Sequence, residues 1–484
     1  MYNSEQDNPK SRKQLWQLVF SVVFILILSN FSLKTIFPSL VINALSIVFI
    51  ALIQFYYGFK NGIVFFIAQL LVLSNFTYGN NQGGLYNITT FIALVLLFSS
   101  SQNWRLTEKT SNFRWIILLG FINVLGYLFH QVEIAGIIQG FITFTSFLLI
   151  YLIISENEFQ LSDISFIFKG LMIVQVFSLA INLLKLFDVY NSSLPMFGGE
   201  SRIGSMTQAG VMGNSELFSE LNVIILIFIT AVILSKELKG RFLFSNFELF
   251  FFLYVSLANV ILTRSKSGII LYVIALVYML LKSKLFSLYQ GDLRGLLILI
   301  VSVLSFFVFF GPIVNTKFSF TEFEILTDFR FNEDQIIKGY GLNRNNVFLM
   351  ALDKLNERPW VIGYGWGNTE RNRIAWGITN RPEIADFHNL YYSLPMIFGW
   401  IGFFIIVFLM LKTTLRLLQF KDNGLMYENV ILRQVIFLLI MIVILIDQFK
   451  ISAMRDPNYF MMFWIFLGLA NSITSKHLQN EEMQ

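Results

Sequence analysis

A histidine followed by an asparagine and a tyrosine stands where a long polar stretch of the chain meets an apolar one. His388 precedes Asn389 and Tyr391, and the apolar run behind them carries Gly399 and Gly402. A residue just before a helix start lies near the positive end of the helix dipole, which disfavours imidazolium and leaves a neutral imidazole near pH 7. Such an imidazole can take a proton from a hydroxyl group. The simpler alternative is a histidine that only caps the helix or packs at an interface.

Two shorter segments carry basic side chains that could bind an anion. Arg202 lies in a glycine-rich turn before an apolar stretch, whose helix Asn214 and Ser215 could cap. Arg264 and Lys266 lie in the sequence LTRSKSG at the mouth of another apolar stretch. Two neighbouring cations repel each other unless water or an anion separates them. The alternatives are an ordinary loop arginine and a basic side chain that reaches the membrane interface.

The polar stretch before His388 has helix signals of its own. Apolar residues recur between Phe348 and Leu355 at the three-and-four spacing of an amphipathic helix, and Pro359 follows its end. The alternating glycines from Gly363 to Gly367 predict a tight turn packed against the membrane face. The stretch is therefore predicted to be a folded, partly helical subdomain.

The composition places these residues in a membrane protein. Of the 484 residues, 56% are hydrophobic and only 13% are charged, whereas about a quarter are charged in soluble domains. The mean hydropathy is +0.66. The chain has no cysteine and no HExxH sequence, so we expect neither disulfides nor a catalytic metal. A net charge of +5 does not suggest nucleic acid, because basic loops on the inner side of a membrane account for much of it.

The elements that must position the candidate residues are membrane-spanning helices. Windows of about 20 apolar residues predict an all-α polytopic protein with about fourteen spans, or twelve to thirteen if two regions are divided differently. The predicted spans are roughly 15–31, 40–58, 62–78, 87–101, 114–130, 133–154, 164–187, 214–234, 247–263, 267–283, 295–314, 389–411, 430–447 and 457–474. This divides the chain into helices in 1–314, a loop subdomain in 315–388, and helices with a short tail in 389–484.

The basic short loops predict the orientation of the spans. With both termini in the cytoplasm, nearly all short loops rich in Lys and Arg fall on the inner side. The acidic connection at 155–163 is the exception, and acidic residues weigh little in this rule. The same arrangement places the loop 315–388 outside the membrane, together with Arg202, Arg264, Lys266 and Arg344.

Taken together and in order, these segments resemble the bacterial O-antigen polymerase and O-antigen ligase superfamily, polytopic glycosyltransferases of the GT-C type. The resemblance covers about residues 195–410 and rests on four short motifs. The motif residues are Arg202, Gly204 and Asn214; Leu262 to Gly268; Arg344, Pro359, Gly363 and Gly365; and His388, Asn389, Tyr391, Gly399 and Gly402. One departure is Lys266, where the family usually has arginine; lysine keeps the charge but loses the bidentate fork.

The resemblance implies a transfer reaction without metal or cofactor on the outer face of the bacterial cytoplasmic membrane. The donor would be a growing glycan on polyprenyl pyrophosphate, and the acceptor a hydroxyl on a lipid-linked repeat unit. His388 would be the base, and Asn389 and Tyr391 would orient groups or contact sugar. The pyrophosphate or developing charge would be bound by Arg202, Arg264, Lys266 and Arg344. The resemblance also implies partner proteins such as a flippase and a chain-length regulator.

Two other functions fit the same chain. A ligase would move finished glycan onto a lipid, protein or cell-wall acceptor, and nothing in the sequence separates it from a polymerase. A flippase or transporter of lipid-linked oligosaccharide should place polar or charged groups deep in its spans. The predicted mid-span regions are nearly free of charge, and this favours an enzyme.

Overall fold

The computed structural model describes eight helices and one short connecting segment. The described residues are 112–129, 134–157, 159, 161–186, 215–235, 244–263, 266–281, 361–366, 389–418 and 457–481, with single positions at 17, 63–64, 67–68, 91, 94–95 and 446. No strand occurs among them. The predicted spans near 15–31, 40–58, 62–78, 87–101, 295–314 and 430–447 lie outside the described residues apart from those single positions, as does the loop 315–388 apart from 361–366.

The observed helices confirm the all-α membrane class, and eight helices lie at predicted spans. In chain order they are α1 Phe113–Phe129, α2 Ile134–Glu156, α3 Leu161–Leu186, α4 Ser215–Leu234, α5 Asn246–Thr263, α6 Lys266–Leu281, α7 Leu390–Leu418 and α8 Pro457–Glu481. Most ends fall within about three residues of the prediction, while α7 and α8 each continue for about two further turns. Among the described helices, three stretches are long and apolar enough to cross a membrane: Asp163–Leu184, Asn246–Thr263 and Leu390–Leu417.

The helices form two compact units. The first unit contains α3 to α6, and the second contains α1, α2, α7, α8 and the segment 361–366. The second unit thus joins helices that are far apart in the chain.

The first unit is built around α4. Every residue from Phe218 to Val232 is buried, as expected for a helix surrounded by others. Phe228 stacks on Phe168 of α3 with ring centroids 3.7 Å apart. The hydroxyl groups of Thr230 and Tyr272 of α6 lie 2.8 Å apart. Aromatic stacking and a buried hydrogen bond therefore join α4 to helices on two sides.

The second unit is built around α8. Its residues from Phe460 to Ser472 are all buried. The indole of Trp464 meets the ring of Tyr151 in α2 edge to face, with centroids 5.8 Å apart. Helix α1 packs on α7, where Trp115 and Phe408 have centroids 5.1 Å apart. This unit contains the start of α7, and therefore Asn389 and Tyr391 of the motif that begins at His388.

Candidate functional site

Helix α7 begins with a capped turn directly after His388. The side-chain oxygen of Asn389 accepts hydrogen bonds from the backbone amides of Tyr391 at 2.9 Å and Tyr392 at 3.4 Å. Its carbonyl oxygen accepts from the amide of Ser393 at 3.1 Å and from its hydroxyl at 2.9 Å. Asparagine is among the preferred residues at this position. The prediction that His388 precedes a helix start is confirmed, although His388 itself lies outside the described residues.

Asn389 and Tyr391 are the predicted site residues whose side chains the structure describes. Asn389 is buried and Tyr391 is half-buried in the first turn of α7. The cap fixes where the chain enters the helix, and the predicted orienting roles of Asn389 and Tyr391 toward the substrate stay predictions. A sugar contact by either residue stays a prediction.

Helix α7 is broken two turns after its start. Gly399 has φ 70° and ψ 175°, a backbone conformation that interrupts the helix. The carbonyl oxygens of Met396 and Ile397 instead accept hydrogen bonds from the amides of Tyr364 at 3.0 Å and Gly365 at 2.7 Å. A broken helix persists within a membrane only where other protein groups satisfy its backbone. The segment 361–366 supplies those groups.

The segment 361–366 and the break approach each other at backbone distance. A Cβ atom on Gly363 would overlap the carbonyl of Ile397, and a Cβ atom on Gly399 would overlap the carbonyl oxygen of Val361. Residues 363–366 are buried. The described segment bends at Val361 and Ile362 and turns at Trp366, so the turn predicted for the glycines does not fall on Gly363 or Gly365, and Gly367 lies outside the described residues. The prediction that this turn packs against the membrane face was wrong, because the broken helix draws the segment in among the helices of the second unit.

The main chain of Trp366 is held by helix α1. Its amide donates to the side-chain oxygen of Asn123 at 2.6 Å, and its carbonyl accepts from the hydroxyl of Tyr127 at 2.6 Å. The amide nitrogen of Asn123 donates to the Tyr127 hydroxyl at 3.0 Å. On the other side, a Cβ atom on Gly140 of α2 would overlap the Trp366 carbonyl oxygen. Both backbone groups of Trp366 are therefore paired in a closed, buried network.

The indole of Trp366 is enclosed by aromatic rings. It stacks on Phe460 of α8 with centroids 4.9 Å apart and meets Phe147 of α2 edge to face at 5.6 Å. Such contacts add to the apolar area that the ring buries. The segment 361–366 thus connects α1, α2 and α8 to the broken part of α7, and this fixes the first two turns of the helix that follows His388.

In the first unit, α5 and α6 meet at the predicted basic pair. Helix α5 ends at Thr263, Arg264 lies in the connection, and Lys266 is the first residue of α6. A Cβ atom on Gly268 would overlap the hydroxyl oxygen of Ser219 in α4. The start of α6 is therefore pressed against α4. The side chains of Arg264 and Lys266 lie outside the described ones.

Sequence analysis missed a buried carboxylate beside this contact. Glu220 follows Ser219 in α4 and is 1% exposed. An acidic side chain within an apolar helix is costly unless it is paired, and intramembrane acids commonly mark functional sites. The signal was present as a single acid in the apolar run that follows Phe218. The prediction that the spans are nearly free of charge did not take Glu220 into account.

Helices α3 and α5 share a buried polar layer. The amide nitrogen of Asn259 donates to the carbonyl and side-chain oxygens of Gln175 at 2.9 and 3.0 Å, and that of Asn182 donates to the Asn259 side-chain oxygen at 3.3 Å. Among the described groups, the buried hydroxyl oxygens of Ser178 and Ser256 have no hydrogen-bond partner. Helices α3 and α5 therefore contain buried polar side chains, although the argument against a flippase or transporter expected few polar groups deep in the spans.

The predicted site residues fall into three groups. Asn389 and Tyr391 lie in the second unit, and Lys266 opens α6 in the first. The remaining ones, His388, Arg202, Arg264 and Arg344, lie outside the described residues. Within the described ranges, no three His, Cys, Asp or Glu side chains come together as a metal site would require.

A protein-family comparison gives an independent identification. Residues 250–407 match the family model described as O-antigen ligase, Wzy_C. The matched range begins within α5, includes α6 and the segment 361–366, and ends within α7. No individual curated protein matches the chain. The basic pair, the segment 361–366, the capped helix start and the break thus all lie in the matched range, and this match supports the resemblance to the O-antigen ligase and polymerase superfamily.

Proposed function

We propose that this protein is a polysaccharide repeat-unit polymerase of the outer face of the cytoplasmic membrane. It transfers a growing glycan from polyprenyl pyrophosphate to a hydroxyl of the next lipid-linked repeat unit, in the synthesis of O-antigen, capsule or exopolysaccharide. The observation that carries the proposal is the capped start of α7, which lies in the matched domain directly after His388.

The reaction replaces the bond between the donor sugar and pyrophosphate by a glycosidic bond to the acceptor. The acceptor oxygen attacks the anomeric carbon of the donor sugar while His388 takes the hydroxyl proton. The bond from that carbon to the pyrophosphate oxygen breaks, and its electron pair leaves with polyprenyl pyrophosphate. General base catalysis contributes roughly 10²- to 10⁴-fold to such a step.

The leaving pyrophosphate needs positive charge at the membrane surface. We assign this role to Arg202, Arg264, Lys266 and Arg344, since guanidinium and ammonium groups bind phosphate oxygens through charge-assisted hydrogen bonds. Pyrophosphate is already a good leaving group, so positioning and charge stabilisation carry most of the rate.

Glu220 has a supporting role in this proposal. It lies next to Ser219, against which α6 begins two residues after Lys266. We assign Glu220 the role of offsetting the repulsion between Arg264 and Lys266 when no substrate is bound, since an acid stabilises nearby cations. Glu220 is in this sense a positioning residue.

The proposal is tested by surface polysaccharide in the native host. A deletion strain is complemented with wild type, His388→Ala or the matched control His477→Ala, a histidine of α8 outside the matched domain. We expect a ladder of chain lengths from wild type and from the control, and single repeat units from His388→Ala at equal protein level. A full ladder from His388→Ala would remove the base from the proposal.

The second candidate is a ligase, which the description of the matched family favours. In a ligase, loss of His388 leaves long lipid-linked chains in the membrane and none attached to the final acceptor. Analysis of the lipid-linked pool in the same strains separates the two: short units accumulate if the protein polymerises, and long chains accumulate if it ligates.

A further inference from the structure

The buried polar layer between α3 and α5 lies deep in two helices that are long enough to cross a membrane. Gln175 lies near the middle of the stretch Asp163–Leu184, and Ser178 follows it one helical turn later. Ser256 lies near the middle of α5, and Asn259 follows one turn later. Side chains three residues apart lie on one face of a helix. The hydrogen bonds from Asn259 to Gln175 hold these two faces together.

The orientation of the Gln175 amide is fixed by Asn259. The backbone carbonyl of Gln175 can only accept a hydrogen bond, so the Asn259 atom 2.9 Å from it is the amide nitrogen. That nitrogen also donates to the Gln175 side-chain oxygen at 3.0 Å, and both of its hydrogens are then used. The Asn259 oxygen accepts from Asn182 at 3.3 Å. The part of the Gln175 side chain that stays available is therefore its amide nitrogen, which is a donor.

Three polar atoms of the layer have no hydrogen-bond partner within the described part of the chain. They are Gln175 Nε2 and the hydroxyl oxygens of Ser178 and Ser256. All three side chains are 0% exposed. A serine in a helix can bond to a carbonyl one turn back, as Ser146 of α2 does with Ile142 at 2.7 Å, and these two do not. Because a buried polar group without a partner is costly, the three atoms call for a small polar ligand.

The chemistry of the three atoms identifies the ligand. The ligand must accept a hydrogen bond from the amide nitrogen, and it can accept from or donate to the two hydroxyl groups. A metal cation cannot accept from the amide nitrogen. An anion would gain no opposite charge from the described side chains of the layer, which are all uncharged. Water both donates and accepts, and a buried water molecule makes about three hydrogen bonds.

We propose that Gln175, Ser178 and Ser256 bind water inside the first unit, and that this water joins α3 to α5 near the middle of the membrane. Water satisfies the buried groups that the two helices do not satisfy themselves. The site is closed, because its three side chains have no exposed surface. It therefore differs from the polar path of a transporter, whose groups line an open cavity. The inference does not depend on the proposed transfer reaction.

Ordered water in a density map tests the inference directly. The full-length protein is imaged in lipid nanodiscs at a resolution that shows ordered water elsewhere in the protein. We expect a peak about 2.5–3.2 Å from Gln175 Nε2 and from at least one of the two hydroxyl oxygens. The double variant Ser178→Ala, Ser256→Ala should lose the peak. The control Ser146→Ala, which removes an equally buried serine of α2, should keep it. A wild-type map without the peak would overturn the inference.

A single introduced thiol tests whether the site is closed, because the chain has no cysteine. Purified Ser178→Cys protein in detergent is treated with a charged, water-soluble thiol reagent beside Ser245→Cys, whose position is exposed. We expect the buried thiol to react at least about a hundredfold more slowly than the exposed one. Equal rates would show an open path and contradict the closed site. A wild-type melting temperature that rises with sodium, and no longer does so in the double alanine variant, would make this an ion site instead.

Discussion

Gly140 of α2 lies against the carbonyl oxygen of Trp366. One methyl group added there tests whether the stability of the protein depends on the contact between α2 and the segment 361–366. The Cβ atom of Gly140→Ala would overlap that oxygen and would lie 2.6 Å from the Tyr127 hydroxyl. The two groups are hydrogen-bonded to each other at 2.6 Å. The methyl group must therefore separate them or push the segment away from α1.

The expected size of the effect follows from three contributions. Alanine gains about 1 kcal/mol over glycine in a helix interior. Breaking the buried hydrogen bond between Tyr127 and Trp366 costs about 1–3 kcal/mol, and forcing a methyl group into a packed interior costs about 1–3 kcal/mol more. The net loss for Gly140→Ala is about 1–5 kcal/mol, and it falls on the contact that supports the broken part of α7.

Gly120→Ala in α1 is the matched control. Its Cβ atom would meet only a terminal carbon of Leu148 at 3.5 Å, which is an ordinary contact. The control should be stabilised by up to about 1 kcal/mol. In detergent, the temperature at which half the purified protein leaves the monodisperse peak should fall by several degrees for Gly140→Ala and stay or rise for Gly120→Ala. Equal stability of the two variants would refute the role given to this contact.

Three further substitutions test other parts of the structure. Asn389→Ala should cost about 0.5–2 kcal/mol of stability and most transferase activity, and Asn389→Ser should restore both, since serine also caps helices. Glu220→Gln should lower activity about tenfold or more without a change in elution, while Glu248→Gln, whose glutamine can keep the capping contact with Ser245, should keep activity. Gly268→Ala should destabilise the protein through its overlap with Ser219, and adding Ser219→Ala should largely reverse the loss; no reversal would place the strain elsewhere.

The helices were predictable because their signal is local. A run of apolar residues ended by polar ones defines a span, and the predicted span 247–263 differs from the observed Asn246–Thr263 by one residue. The helix start after His388 was predictable for the same reason, since Asn389 is a preferred capping residue. The early ends predicted for α7 and α8 arose because their last turns are polar, as at Lys412 to Arg416.

The contacts that organise the candidate site were not predictable, because their partners are distant in sequence. The hydrogen bonds that join Trp366 to Asn123 and Tyr127 span 243 and 239 residues, and the bond from Lys412 to Asn112 spans 300. Hydrophobic periodicity carries no information about such pairs. In the sequence, Gly399 is only one of a pair of glycines. Its break in α7 depends on the segment 361–366, which is distant in sequence and packs against it.

Conversion of a purified lipid-linked repeat unit by purified protein tests the central claim most directly. Wild type and His477→Ala should join repeat units into dimers and longer chains and release polyprenyl pyrophosphate, as measured by mass spectrometry. His388→Ala should be slower by at least about a hundredfold with little change in the substrate concentration for half-maximal rate, because a missing base affects the transition state more than binding. A rate for His388→Ala within a few-fold of wild type, or no chain extension by wild type, would contradict the account.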